Sequence, residues 1–193
     1  MRDGIDALST RAVALRAKVP VATLYQYFAD REAIAAALIE RHVAAMDERL
    51  AADLGALESL SVRSIVETTV RAYVAGYAER PSYVVLWFQG RVGTEITTFV
   101  RQRSELLAGQ MLAFTTAAGI LRPDTDALVL RLAAEMIDAF LAVAYRDDVR
   151  GDERVLREGI EMLVGYVERH ATKGGIAGIA ARDIAVPLEI GAR

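Results

Sequence analysis

The sequence predicts an all-α chain, a short helix-turn-helix segment leading into a bundle of longer helices. Three observations carry this. Only four prolines occur among 193 residues, at positions 20, 81, 123 and 187. Between them, alanine- and leucine-rich stretches place apolar residues three and four apart, the period of one helix face. No stretch alternates between hairpin signals, and nothing repeats at a solenoid period. With 53% hydrophobic and 25% charged residues, the chain has the material for a substantial core.

Punctuation sets the elements in order. Ser9 or Thr10 caps a short helix to about Ala17, and a tight turn to Pro20 leads into a second over residues 21–28. Asp30 caps a long helix over 31–54, with Ile34, Leu38, Met46 and Leu50 on or near one face. Ser61 opens another, whose Ile65, Val66, Thr69, Tyr73 and Tyr77 recur at helical spacing until Pro81 stops it. Residues 82–89 form a short uncharged helix or turn. Helices follow over 94–118, from Pro123 and Asp124 to about Arg146, and over 152–170. Glycines then break the pattern, leaving either a loose tail or an arm laid on the body by Ile176, Ile179, Ile184 and Ile190. The expected division is 1–50, 51–170 and a tail over 171–193.

Composition closes several routes. Without cysteine there is no disulfide scaffold, cysteine zinc site, iron–sulfur cluster or thiol nucleophile, which fits a reducing, cytoplasmic setting. His42 and His170 stand far apart, so no metal-spaced cluster is visible. Mean hydropathy is positive, yet the longest uncharged run, 106–121, contains Gln110, Thr115, Thr116 and two glycines. It is too short and too polar to cross about 30 Å of hydrocarbon, so no membrane partner is expected. The first residues hold no secretory core. No nucleophile elbow, phosphate-binding glycine loop, zinc-binding helix motif or dinucleotide fingerprint occurs, so neither catalysis nor a cofactor is indicated. The net charge of −3 does not advertise nucleic-acid binding, and any such function must be local.

The local signal lies in residues 3–34. Val13, Ala14 and Leu24 can pack two short helices across a turn and leave the second helix's polar positions outward, the helix-turn-helix pattern. Val13, Ala14, Ala17, Val19, Thr23, Leu24, Tyr25, Phe28, Arg31, Glu32 and Ile34 together resemble the TetR family of bacterial transcriptional repressors. That family's signature runs through T-L-Y-x-x-F into a helix begun by a basic residue. The resemblance implies a homodimer on a palindromic duplex operator, released by a small effector that is usually apolar or aromatic.

Physical chemistry gives each matching position a role. An eight-residue helix is about 12 Å long and enters a major groove about 12 Å wide with its N-terminal residues foremost. Helix starts favour phosphates through unpaired N–H groups. Ser9, Thr10, Arg11, Lys18, Thr23, Tyr25, Tyr27 and Arg31 are therefore candidate phosphate contacts. Gln26 is placed as the base reader at adenine, and Val21 and Ala22 can touch a thymine methyl. Residues 1–31 carry only +2, from Arg2, Arg11, Arg16, Lys18 and Arg31 against Asp3, Asp6 and Asp30, so affinity needs doubling in a dimer. Lys18 stands where relatives usually have glycine, at a cost of about 1 kcal/mol if it is left-handed. Relatives also begin with a complete helix ahead of this segment. The expectation is that the chain as written, through a misplaced start codon or shortening, binds DNA poorly while an upstream-extended version binds. The alternative reading is an all-helical ligand-binding or dimerisation module without DNA activity.

The remaining helices suggest two further surfaces. Tyr73, Tyr77, Trp87, Phe88, Phe99, Gln110, Met111, Phe114, Met136 and Phe140 form an aromatic and methionine-rich set that the resemblance casts as an effector pocket. The helix over 124–146 is apolar around most of its circumference beside one polar stripe of Arg131, Glu135 and Asp138, so it must bury more than one face. Leu128, Leu132, Met136 and Phe140 are expected inside. Leu130, Ala134, Ile137 and Leu141, with Leu156, Gly159, Ile160, Leu163 and Val167 of the last helix, are expected to meet a second copy.

Overall fold

Caps read from the sequence start most of the helices. A computed structural model of the chain describes residues 9–89 and 93–184. The side chain of Ser9 accepts from Ala12 N–H to open α1 (Thr10–Ala17), and Pro20 leads into α2 (Val21–Tyr27). Asp30 accepts from Ala33 N–H at 2.8 Å to open α3 (Arg31–Gly55). A reciprocal Ser61–Ser64 capping box opens α4 (Val62–Glu79). Pro81, which stops α4, is the first residue of α5 (Pro81–Val84), continued by a π-helical turn over Val85–Gln89. Then come α6 (Thr94–Ala117), α7 (Ala127–Ala144, capped by Asp126) and α8 (Glu153–Glu168, capped by Asp152). The expected start of α7 at Pro123 and Asp124 is instead a turn, with Thr125 N–H bonded to Arg122 C=O, and the helix begins at Ala127. Residues 1–8, ahead of which the relatives' complete first helix is expected to be missing, lie outside the described residues.

The turn between α1 and α2 is made by Lys18. Its φ of 56° and ψ of 38° are left-handed, and its N–H bonds to the carbonyls of Ala14 and Leu15. No other non-glycine residue among those described has positive φ. Lys18→Gly is therefore expected to stabilise the chain by about 0.5–1 kcal/mol, the steric relief less glycine's added freedom in the unfolded chain. Urea denaturation at constant slope checks this, and an unchanged or lower midpoint counts against it.

The main core gathers Ala35, Ile39, Met46, Leu50 and Leu54 from α3 with Val62, Ile65, Val66, Val70 and Tyr77 from α4. Phe140, Leu141, Leu156, Leu163 and Val167 of α7 and α8 complete it. The buried stripe of α3 is thus offset from the expected one: Leu38 is 43% exposed, and Ala35, Ile39 and His42 turn inward instead. The boundary expected at residue 50 falls within α3, which passes unbroken from the helix-turn-helix segment into the bundle.

The faces of α7 agree only in part with those expected: Phe140 is buried and Met136 packs on the core, but the other two positions of that set do not turn inward. Leu128 and Leu132 are 51% and 42% exposed, while Leu141 is 1% exposed and Leu130, Ala134 and Ile137 border an internal cavity. The cause is packing on both sides: α6 and α8 both lie along α7, and only the Leu128 edge is left outside. Likewise Leu156, Leu163 and Val167 are spent within the protomer, and Ile160 is half-buried. A Cβ on Gly159 would meet the Phe140 ring at 2.5 Å, so this glycine admits the chain's own Phe140. Of the candidate dimer residues, Leu141, Leu156, Gly159, Leu163 and Val167 are therefore buried within the protomer, and Leu130, Ala134 and Ile137 are half-buried.

The segment after α8 is an arm laid on the body through Ile184. Arg122 N–H bonds to His170 C=O, Thr172 N–H to Ile120 C=O, and the Thr172 hydroxyl to Gly119 C=O. A short helix α9 (Lys173–Ala177) follows, then β2 (Ile179–Ala180), antiparallel to β1 (Ser59–Leu60) between α3 and α4. Gly175 packs so closely that a Cβ there would lie 2.0 Å from the Ile120 carbonyl oxygen. Two-residue strands leave no alternation for the sequence to show. Ile190 lies outside the described residues.

Candidate functional site

Two regions can engage other molecules. At one end, α1 and α2 pack through Ala14, 1% exposed, and Leu24, 7% exposed, and the outer side of α2 remains in solvent. Ala22, Tyr25, Gln26 and Tyr27 are exposed there, Val21 and Thr23 are half-buried, and Lys18 is exposed in the turn. Ser9, Thr10, Arg11, Tyr25 and Arg31 border one open cleft together with Ala29, Asp30 and Glu32. The Thr10 hydroxyl and the Tyr25 phenol stand 3.4 Å apart. The starts of α1 and α3 thus converge on Tyr25, so two sets of helix-start N–H groups and two guanidinium groups share a surface suited to a phosphate-bearing strand. Arg31 also pairs with Glu32 at 3.5 Å. Phe28 is half-buried as the cap of α2.

At the other end, a cavity of about 100 Å³ lies among α3, α4, α6, α7 and α8. Its walls are mostly aliphatic, with Thr69, Tyr73, Ser104 and Thr115 as polar points and Asp138 as the charged one. A smaller chamber of about 40 Å³ adjoins it, sharing Tyr73, Ser104, Leu107 and Asp138, and is walled by Tyr77, Tyr83, Trp87 and His42. Of the residues expected at the pocket, Tyr73 borders both chambers, Met111 the larger, and Tyr77 and Trp87 the smaller. Phe88, Phe99, Gln110, Phe114, Met136 and Phe140 border neither. On α6 the cavity face is Ser104, Leu107, Ala108, Met111 and Thr115; Phe99 and Gln110 lie around the helix from it, and Phe114 is buried in the core beside it. Phe88 stacks on Tyr145 at 5.7 Å, and Phe140 is taken by Gly159.

The sequence singled out neither His42 nor Asp138 for this site. His42 is 3% exposed, stacks on Tyr83 at 3.7 Å, and has a hydrogen-bond partner on neither ring nitrogen. Burial, aided by the Arg80 charge, lowers its pKa to about 4, so the ring is neutral at neutral pH. Burial of its inner side and the nearby Glu135 carboxylate push Asp138 up to about 6. Its outer side reaches solvent at the cavity mouth.

A stability prediction follows from His42. Between pH 6.5 and about 4 the unfolded chain binds a proton that the folded chain refuses, so stability falls as pH drops through this window. His42→Phe is expected to remove that fall and to raise stability at pH 7 by about 1–3 kcal/mol, since two partnerless buried nitrogens go and the stack on Tyr83 stays. Urea melts of both forms at neutral and mildly acidic pH measure it, and a variant less stable than the parent at neutral pH would contradict it.

Comparison with known proteins agrees with this layout. Residues 1–38 match the model described as bacterial regulatory proteins, tetR family, and residues 61–166 match that described as tetracyclin repressor-like, C-terminal domain. The crystal structure of a TetR-family transcriptional regulator from Streptomyces coelicolor is 31% identical, with 86% of this chain and 88% of that one covered and a TM-score of 0.63. The ketosteroid transcriptional regulator KstR2 of Mycobacterium tuberculosis is 16% identical over 88% of this chain and 87% of that one, with a TM-score of 0.45. No curated protein matches the chain. Among the described residues, no helix is long and apolar enough to cross a membrane. An exposed recognition helix on an all-α body, with matches over both its parts, makes this chain a member of the TetR family of bacterial regulatory proteins, DNA-binding regulators of transcription.

Proposed function

We propose that this regulator is a cytoplasmic repressor that binds a palindromic operator as a homodimer and leaves it when a small hydrophobic effector fills the cavity. The observation that carries this is the continuity of α3. Arg31, at its first turn, borders the cleft beside Tyr25, and Leu50, near its other end, borders the cavity. A helix of 25 residues is about 38 Å long, so a small tilt at the cavity becomes a larger displacement of the recognition helix. An effector that fits better when two recognition helices are wrongly spaced must weaken operator binding by the same factor.

The dimer face in this reading is the outward edge of α7 and α8. Leu128, Leu132 and Val143 are 42–51% exposed and Met162 is 53% exposed, with Val155 and Tyr166 half-buried beside them. Four large apolar side chains left in solvent along two adjacent helices suit a self-complementary, two-fold contact.

Mobility shift of the DNA flanking the regulator's own gene, with the chain as written and with an upstream-extended version, tests the proposal. Two chains per duplex, with binding that weakens as salt rises, are expected. Equal affinity for unrelated DNA would reject it.

A further inference from the structure

The smaller chamber is built for more than an oily guest. Rings of Tyr73, Tyr77, Tyr83 and Trp87 wall it, and His42, 3% exposed, brings two partnerless ring nitrogens to it. Its charged groups are Asp47, Arg103 and Asp138. Arg103 is spent: its Nε donates to Asp47 Oδ2 at 2.7 Å, and its Nη2 donates to the same oxygen. Asp138 has neither a hydrogen bond nor an ion pair among the described residues, and with the Arg103–Asp47 pair neutral overall it leaves the chamber one formal negative charge.

From this juxtaposition we propose that the effector is a small apolar molecule with a protonated amine, its ammonium head in the smaller chamber and its body in the larger. The inference rests on the reading of the cavity as an effector site and adds the chemical class. A cation there meets the Asp138 carboxylate, a neutral His42 nitrogen able to accept, and several aromatic faces, each favourable in a site partly shut off from water. An anion is repelled by Asp138, and the nearby guanidinium charge is already neutralised by Asp47. A neutral hydroxyl can donate to Asp138 or His42 but brings no charge to the carboxylate or the aromatic faces. Size sets the body: an apolar cavity of about 150 Å³ holds benzene, so chambers of about 100 and 40 Å³ that share four residues suit one ring or a short chain. Holding His42 also loads α3 directly, because His42 lies midway along that helix.

Titration calorimetry of the full chain with benzylammonium, benzyl alcohol and benzoate at neutral pH tests the proposal. The three share a ring and differ in head group. Benzylammonium is expected to bind about tenfold tighter than benzyl alcohol, with benzoate weakest. Asp138→Asn, a near-isosteric change at the cavity mouth, is expected to erase the preference for the amine over the alcohol. His42→Phe is expected to weaken both ligands although it stabilises the fold. Benzoate binding as well as the amine, or an Asp138→Asn variant that keeps the preference, overturns the ammonium assignment. Tightest binding by the alcohol overturns it too, yet leaves the cavity reading intact. Failure of all three to bind at millimolar concentration overturns both.

Discussion

Tyr25→Ala is expected to lower operator affinity about hundredfold while the fold is kept. Tyr25 is 52% exposed on the outer side of α2 and borders the cleft where the starts of α1 and α3 meet. In the proposed complex its phenol donates to a phosphate oxygen that the helix-start N–H groups of α1 and α3 also face. Loss of one such anchor costs about 1.5 kcal/mol per copy, and two copies on one duplex make about 3 kcal/mol, a factor of about one hundred. Because the side chain is half in solvent, thermal stability should move by no more than about 0.5 kcal/mol. Fluorescence anisotropy with a labelled operator duplex, paired with a melt, separates the two effects. Tyr25→Phe should retain an intermediate affinity, since the ring stays and the hydroxyl goes. Parent-like affinity in Tyr25→Ala would remove this residue from the interface.

The second large effect is on assembly. Leu128→Asp with Leu132→Asp is expected to turn the dimer into a monomer and to lower operator affinity more than a hundredfold. Both side chains are already about half exposed in the protomer, so the charges cost its fold little. Across a two-fold contact the same change buries four like carboxylates in an apolar seam, a cost of several kcal/mol. A monomer then offers one half-site's contacts where the dimer offers two. Sedimentation velocity gives the state and anisotropy the affinity. Leu141→Asp provides the contrast: that side chain is 1% exposed, so the chain itself should unfold. A stable dimer carrying both surface aspartates would place the interface elsewhere.

These two variants also mark the limit of what sequence periodicity conveys. Helix starts were legible because Ser9, Asp30, Ser61 and Asp152 have a chemical reason to stand where they do: each side chain meets an N–H that the helix cannot satisfy. The facing of α7 was not legible. Leu128, Leu130, Leu132, Ile137 and Leu141 spread apolar surface around most of the cylinder, so no stripe distinguishes inside from outside, and the choice is made by α6 and α8 lying against it. The same blindness misplaced Phe99, Gln110, Phe114, Met136 and Phe140. Composition flagged an aromatic set, but only the register of α6 and α7 decides which members reach the cavity.

The recognition segment was more legible because its constraints are local. Ala14 and Leu24 must touch across a turn of fixed length, which turns Ala22, Tyr25, Gln26 and Tyr27 outward whatever the remainder of the chain does. Lys18 at a left-handed position is the one strained point of that turn. His42 and Asp138 were the least legible of all. A lone histidine in a long helix and the last member of a polar stripe carry no spacing signal, and their significance comes from α3 and α7 facing one chamber from opposite sides.

Hydroxyl-radical footprinting of the operator in the DNA flanking the regulator's own gene shows whether two recognition helices sit on one duplex. Two protected patches are expected on one face of the duplex, related by a two-fold axis and centred about one helical turn apart or a small multiple of it. A single unpaired patch, or protection spread evenly along the duplex, would contradict this arrangement.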